Sequence, residues 1–340
     1  MNKKSTYIVF VGLILALLML CYLNIRYGSV AVSLSDFYAV LFGQSDQRLI
    51  QTILFEIRIP EVLTAISAGA GLALSGLLLQ TLFRNPLTGP SILGISSGAS
   101  LGVALVMLSG AVGYFGSNSW LSGVSVSLAG ITGAMAVLAI IVLIARKMRS
   151  TVALLIIGLM MGYLVSALVS VLLFFSNEES IQTYVFWGMG SFADVKGVSL
   201  CLQLIIVFLA GVFMLFKSNV LNVLLLGDRY AQNLGINVKS TFVLLIIVSG
   251  ILAGIITSFC GPIAFLGMAV PHLVRATFKT SNHYVLIPGC LLTGASLALL
   301  CNFLADMPWS SSVLPINAIT PLFGAPVVIA LILKRKQYHS

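Results

Sequence analysis

The stretch Arg84-Asn85-Pro86-Leu87-Thr88-Gly89-Pro90-Ser91-Ile92-Leu93-Gly94 lies between two long apolar runs, and its reading decides the fold. Its two prolines, four residues apart and each without a backbone N–H, end one helix and open another. A nearby glycine completes the break. The flanking runs, near 60–82 and 92–110, are each about as long as a membrane span. Peptide groups freed by a break at that depth must be satisfied by protein or water, because lipid offers no hydrogen bonds. The stretch reads either as part of a pathway, gate or docking surface or as a plain interhelical turn, and the residues alone leave both open.

Composition settles the class around it. The 340 residues are 59% hydrophobic and 8% charged, with a mean hydropathy of +1.10. Ordinary soluble domains carry about 25% charged residues. The chain is therefore expected to be an all-α, polytopic membrane protein. It forms one transmembrane domain over 1–340, with no stretch polar enough for a separate soluble domain. About ten spans fit, near 7–27, 60–82, 92–110, 121–145, 152–175, 197–216, 240–259, 262–277, 284–305 and 318–333. The segment from Gln182 to Phe192 is too short to span and reads as an interfacial helix, with Tyr184 and Trp187 at headgroup level. The first run reads as an uncleaved helix. It is long for a signal peptide, no A-x-A site follows it, and bulky Leu20 before Cys21 argues against lipoprotein processing.

Charge sets the orientation. With both termini cytoplasmic, the inner side collects Lys3, Lys4, Arg84, Arg146, Lys147, Arg149, Lys217, Arg229, Lys239, Arg275, Lys279, Lys334, Arg335 and Lys336. Only Arg26, Arg48, Arg58 and Lys196 remain outside, and Asp228 is the single acidic residue inside. Such a bias supports this topology and an even number of spans. The net charge of +9 is scattered among short loops and is no nucleic-acid signature.

Small residues recur at helix-packing spacing, as in Ala68-Gly69-Ala70-Gly71, Gly76, Gly98-Ala99, Gly130 and Gly133-Ala134, and read as close-packing positions. Gly89-Pro90-Ser91-Ile92-Leu93-Gly94 and Gly261-Pro262-Ile263-Ala264-Phe265-Leu266-Gly267 echo each other. Each places Pro at a first helical position, and they enter from opposite faces, as an inverted repeat would require.

Several chemistries are missing. There is no G-x-x-x-x-G-K-[ST], H-E-x-x-H or G-x-S-x-G, so neither P-loop ATP hydrolysis nor a recognisable membrane enzyme is indicated. No charge sits clearly in mid-span, which argues against an ion-coupled carrier. The five cysteines lie far apart in apolar runs, and no metal-ligand cluster forms. His272 is expected to make a hydrogen bond at a helix end. On the inner side, within about 222–236, Leu224 to Ile236 reads as a short amphipathic helix with Asp228 near its start and Gly235 near its end, and with Leu224, Leu225, Ala231 and Leu234 apolar. It suits either the lipid interface or a groove on a soluble subunit.

Four ordered motifs carry a resemblance. Arg84-Asn85-Pro86-Leu87 with Pro90, Leu93-Gly94 and Gly98-Ala99 comes first. Gly227-Asp228 through Ala231 and Leu234-Gly235 comes second, and Gly261-Pro262 to Gly267 with Pro271-His272 and Arg275 third. Leu314-Pro315, Thr320 and Gly324-Ala325-Pro326 is the fourth. Together, over about residues 50–335, they resemble the permease subunits of bacterial ATP-driven importers for ferric siderophores, haem and cobalamin, the FecCD-like family. The resemblance implies ten spans per subunit in the bacterial cytoplasmic (inner) membrane and a permease homodimer. It implies two cytoplasmic ATPase subunits that bind ATP and Mg, with no cofactor or metal in this chain. It also implies an extracytoplasmic substrate-binding protein. Asn85 and Leu87 match the family's cytoplasmic gate, and Ser150 and Thr151 a second constriction. Gly227, Asp228, Arg229, Ala231, Leu234 and Gly235 match the helix that seats in the ATPase. Arg58 matches an arginine that docks the binding protein.

The chain also departs from that pattern. Arg58-Ile59-Pro60-Glu61 has an acid where a second arginine often stands, and Asp306 to Ser312 has no arginine. Docking would then draw on Arg58, Arg48 and Lys196. Asn317 replaces a frequent glycine at the entry to the last helix. A bulky chelate suits a conduit of small, apolar and hydroxyl side chains such as Met160, Met161, Ser166, Ser170 and Thr183, each of which reads equally as a packing or lipid-facing residue. Ferric siderophore is the first expected cargo, with cobalamin and haem as alternatives. A self-contained channel or carrier and a membrane scaffold are the rivals from other classes.

Overall fold

The computed structural model describes residues 3–28, 48–109, 119–148, 150–306 and 313–337. Arg149 and residues 307–312 lie outside them. The described residues are helical with short connections and contain no strand. The helices are α1 (Lys3–Arg26), α2 (Arg48–Phe83), α3 (Ile95–Leu108), α4 (Ser119–Lys147), α5 (Thr151–Phe174), α6 (Glu178–Gly188) and α7 (Gly197–Phe216). They continue as α8 (Ser218–Leu224), α9 (Asp228–Asn233), α10 (Val238–Cys260), α11 (Leu266–Phe278), α12 (His283–Ala305) and α13 (Ile316–Gln337).

Among the described residues, 7 helices are long and apolar enough to cross a membrane: α1, α2, α4, α5, α7, α10 and α12. The expected spans near 92–110, 262–277 and 318–333 are not among them. The reason is visible at two of the three. α3 and α11 have 14 and 13 residues. At 1.5 Å per residue each is about 20 Å long, against a hydrocarbon core of about 30 Å. Each follows an irregular segment that hydropathy alone merges into the helix. For α3 this is a 3₁₀ turn, Pro90–Leu93, ended by Gly94 at φ 71°. For α11 it is the non-helical run from Gly261 to Phe265.

That second segment corrects an expectation. Pro262 does not open a helix; α11 starts at Leu266, after Phe265 at φ 66°. The two echoing segments therefore differ in backbone, yet they meet. A Cβ on Gly267 would lie 2.6 Å from Pro90 Cδ, and one on Gly89 would lie 3.5 Å from Met268 Cβ.

α2 is the hub. It packs on α7, α10, α11 and α12, and 89% of its apolar stretch is buried, against 6% for α1. Within a membrane, apolar burial offers little drive for helices to associate, so close backbone contact must hold them. Gly69 faces Gly294 of α12, and Gly76 faces the Gly267 carbonyl of α11. Pro271 has no N–H to return to that carbonyl four residues earlier, so Gly76 covers a backbone oxygen the helix leaves free. α3 packs between α4 and α5, with Gly98 and Gly102 against Gly133 and Ala129. The expected role of the small residues as packing positions is met at these sites.

Arg58 and Glu61 lie within one continuous helical run rather than before a helix, because a π-turn, Ile53–Arg58, joins Arg48–Thr52 to the helix that starts at Ile59.

Candidate functional site

The Arg84–Gly94 stretch forms a rigid turn. Arg84 caps α2 in the left-handed conformation, φ 47°. The Asn85 carboxamide oxygen accepts from the Leu87 N–H at 3.0 Å. The Asn85 backbone carbonyl accepts from the Thr88 hydroxyl at 2.7 Å and from the Thr88 N–H at 3.3 Å. Thr88 is buried and Leu87 exposed. The loose peptide groups a proline-rich break creates are thus tied locally, as burial demands.

Two neighbours hold the turn from outside. His272 of α11 donates Nε2–H to the Pro86 carbonyl at 2.6 Å; a carbonyl only accepts, so the proton sits on Nε2. Arg84 donates to the Leu224 carbonyl at 3.2 Å and pairs with the Asp228 carboxylate. One turn back along α2, Gln80 accepts from the Arg275 guanidinium at 2.5 Å and donates to the Met268 carbonyl at 3.0 Å. Thr81 meets His283 Nε2 at 2.9 Å. His283 in turn uses its N–H and Nδ1 on Asn222 Oδ1 of α8. The end of α2 is therefore linked through polar side chains to α8, α9, α11 and α12.

The expected start near Asp228 and end near Gly235 are those of α9, but the wider 222–236 segment is not one helix: its first residues belong to α8. Gly227 breaks it at φ 113°, a conformation a side chain disfavours. The apolar side differs as well. Leu224 and Ala231 are buried, whereas Leu225, Leu226, Tyr230 and Leu234 are exposed at the tip. Gly235 at φ 79° closes α9. Asp228 and Arg229 are both exposed on the first turn of α9.

At the other end of α2 lies a polar cluster. Glu61 accepts from the Asn302 carboxamide at 2.9 Å, and Asn302 also donates to Asn24 at 3.2 Å. Arg58 is only 6% exposed and donates to the Ile25 carbonyl at 2.5 Å. Arg58 thus ties α2 to the end of α1. A cavity of about 510 Å³ opens beside the cluster, lined by Arg58, Glu61, Phe192, Asn302 and Asp306. Burial pushes the Asp306 carboxyl up, and the charge of Arg58 draws it partly back down. Close by, Asn317 ties three segments together. It donates to the carbonyls of Gly188 at 3.2 Å and Pro262 at 2.5 Å, and it accepts from the Ala264 N–H at 3.1 Å.

Residues 8–334 match the FecCD transport family. The chain belongs to that family. It is an ABC-type permease and a multi-pass protein of the bacterial inner membrane. The vitamin B12 import system permease protein BtuC of Salmonella choleraesuis (strain SC-B67) is 35% identical over 284 residues, 84% of each chain. The BtuC of Salmonella newport (strain SL254) is equally similar. A solved structure of a metal-chelate type ABC transporter in an inward-facing conformation superposes with a TM-score of 0.83 at 33% identity, over 96% of this chain and 99% of that one.

Within this FecCD permease the motif residues divide into two groups. Arg84, Pro86, His272 and Asp228 come together around one turn, and Arg275 supports it through Gln80. Pro90 packs against Gly267, while Gly94 lies against Gly158 and Gly162 of α5. Ser150 caps α5, accepting from the Ala153 N–H at 3.3 Å, with Thr151 the first residue of that helix. Gly261 at φ 76° and Pro262 form the loop that Asn317 holds, and Pro326 lies inside α13. Sequence reasoning missed Gln80, Asn222, His283, Asn302 and Asn317 as organisers. Their one signal was a strongly polar side chain inside or beside an apolar run, the kind of residue a membrane helix carries only with a partner.

Proposed function

We propose that this FecCD permease moves a bulky metal chelate inward across the membrane. It works as a homodimer of ten-span subunits with both termini cytoplasmic, driven by two separate ATPase subunits and fed by an extracytoplasmic binding protein. The family itself implies ATPase and substrate-binding partners. The observation that carries the mechanism is the Arg84 contact. It joins the turn holding Asn85 and Leu87, read as the cytoplasmic gate, to the exposed segment of α8 and α9, read as the ATPase seat. Leu225, Leu226, Tyr230 and Leu234 give that segment an apolar tip suited to a groove. Ser150 and Thr151 would form the second constriction at the head of α5. Arg58, beside the cavity at the other end of α2, would dock the binding protein together with Arg48 and Lys196.

α5 supports the shared pathway. Its side with Leu154, Gly158, Val165 and Val169 is buried, while Met160, Tyr163, Ser166 and Ser170 are exposed. The same side also exposes Val152, Ile156, Leu159, Leu164 and Leu168, so the support for a conduit lies in the Tyr163 and Ser166 hydroxyls among apolar residues. The relatives move cobalamin ahead of ferric siderophore as first cargo, with siderophore and haem next. The test is uptake into vesicles that contain the permease, its ATPase and its binding protein, using labelled cobalamin, ferric siderophores and haem. Uptake of one cargo only with internal ATP and both partners is expected. Uptake without ATP would overturn the reading in favour of a self-contained carrier.

A further inference from the structure

Arg84 occupies a backbone position that argues against its own side-chain type. At φ 47° it is the left-handed residue just past a helix end, where glycine is favoured because it has no Cβ to clash. An arginine there carries a backbone cost, as Lys279 does at φ 47° after α11, but unlike Lys279 it also uses its side chain. That side chain reaches the two residues flanking the Gly227 break: the carbonyl of Leu224, the last residue of α8, and the carboxylate of Asp228, the first of α9. One guanidinium thus bridges a joint whose backbone glycine stands at φ 113°.

The contact is not chiefly a stability device. The two side chains are 49% and 55% exposed, and exposed ion pairs contribute little to folding. Its geometry has a different consequence. The Asn85–Thr88 turn is internally fixed by three hydrogen bonds and is held to α11 through His272. α8 is held to α12 through Asn222. α9 packs through fully buried Ala231, and its side-chain tie to the end of α2 is the Arg84–Asp228 pair. A displacement of α9 about Gly227 is therefore passed to the residue immediately before Asn85.

We infer that Arg84 is a staple across the Gly227 joint, and that it transmits movement of α9 to the Asn85–Leu87 turn. This rests on reading α8 and α9 as the ATPase seat. Arg84 and Asp228 are positioning residues in this scheme; neither touches cargo.

The experiment uses the complete permease, ATPase and binding-protein complex in proteoliposomes and records cargo moved per ATP hydrolysed. Arg84→Gly removes the staple and suits the left-handed backbone, so the variant keeps or gains thermal stability. Its transport per ATP is expected to fall about tenfold, a contact-pair effect of ordinary size. Arg84→Asp and Asp228→Arg each give a similar loss, and the double exchange restores the ratio to within about threefold of wild type. Unchanged stoichiometry in Arg84→Gly, or a double exchange no better than either single change, overturns the staple while leaving the importer intact. Absence of any ATP-driven transport by the wild-type complex overturns the importer reading and the staple with it.

Discussion

The contact between α2 and α11 predicts that Gly76 cannot accept even one methyl group. A Cβ built on Gly76 would lie 2.5 Å from the carbonyl carbon of Gly267 and 2.9 Å from its Cα, closer still to the oxygen, where ordinary contact begins at 3.4 Å. The obstacle is backbone on both sides, so no rotamer change relieves it. The helices must separate until the Gly267 carbonyl clears the new methyl, which also lifts Gly267 off Pro90. Overpacking of this kind costs about 1–3 kcal/mol, and a backbone-on-backbone clash belongs at the upper end. Against it stands the gain of about 1 kcal/mol that alanine brings over glycine in a helix. Gly76→Ala should therefore lower stability by about 1–2 kcal/mol net. Gly12→Ala is the internal control: nothing lies within 4 Å of its would-be Cβ, so only the helix gain remains. Thermal unfolding of both variants in one detergent is the assay. The expected order is Gly12→Ala at or above wild type and Gly76→Ala clearly below it. Equal stability of the two variants would refute the close contact.

Gln80→Leu keeps the volume but strips the partner from Arg275 and from the Met268 carbonyl, for an expected loss of about 2–4 kcal/mol in denaturant titration. Asn317→Ala releases three hydrogen bonds that hold Gly188, Pro262 and Ala264. It should cost about 2–3 kcal/mol and raise proteolytic cleavage in the 261–265 loop. Glu61→Gln retains the acceptor for Asn302 and should stay within about 1 kcal/mol of wild type, whereas Glu61→Leu loses it at about 1–3 kcal/mol. Equal effects of the two Glu61 changes in thermal unfolding would show that the Asn302 bond contributes nothing.

The helical class and the positions of most helices were legible because apolar runs need no tertiary information. The break at 84–94 was legible because proline and glycine act locally. The state of Pro262 was not. Gly-Pro at 89–90 does open a 3₁₀ turn, but Gly-Pro at 261–262 is drawn into an extended loop by Asn317, 55 residues away in sequence. The start of α9 at Asp228 was legible, but hydropathy could not assign Leu224 to α8, because Leu224, Leu225 and Leu226 form a continuous apolar run. Only burial distinguishes the first, against the helices, from the other two at the tip. Arg58 misled for a related reason. Its docking role came from the family resemblance, which placed it before a helix; a π-turn carries the helix past it, and its guanidinium also bonds the Ile25 carbonyl. His272 differed in another way: it stands in the middle of α11 rather than at a helix end, and its ring reaches across to the Pro86 carbonyl of the decisive stretch. The roles assigned to Asn85, Leu87, Ser150 and Thr151 come from the family resemblance, since a turn and a helix cap carry no mark of a gate in their residue types.

The middle of α2 and its Arg84 end are built on different physics, and that difference is measurable. Around Gly69 the contact is backbone against backbone: a Cβ there would lie 2.8 Å from the Gly294 carbonyl carbon and 2.6 Å from Ala298 Cβ. Such packing has little directionality and a high penalty for intrusion. Around Arg84 the contacts are directional hydrogen bonds at half-exposed positions, weak in stability but specific in what they connect. Gly69→Ala should therefore lower the unfolding temperature and leave cargo moved per ATP unchanged in the surviving folded complex. Arg84→Gly should do the opposite. If instead both variants lost stability and coupling in proportion, α2 would act as a single cooperative element, and the separation between a packed shaft and a polar linkage at its end would be wrong.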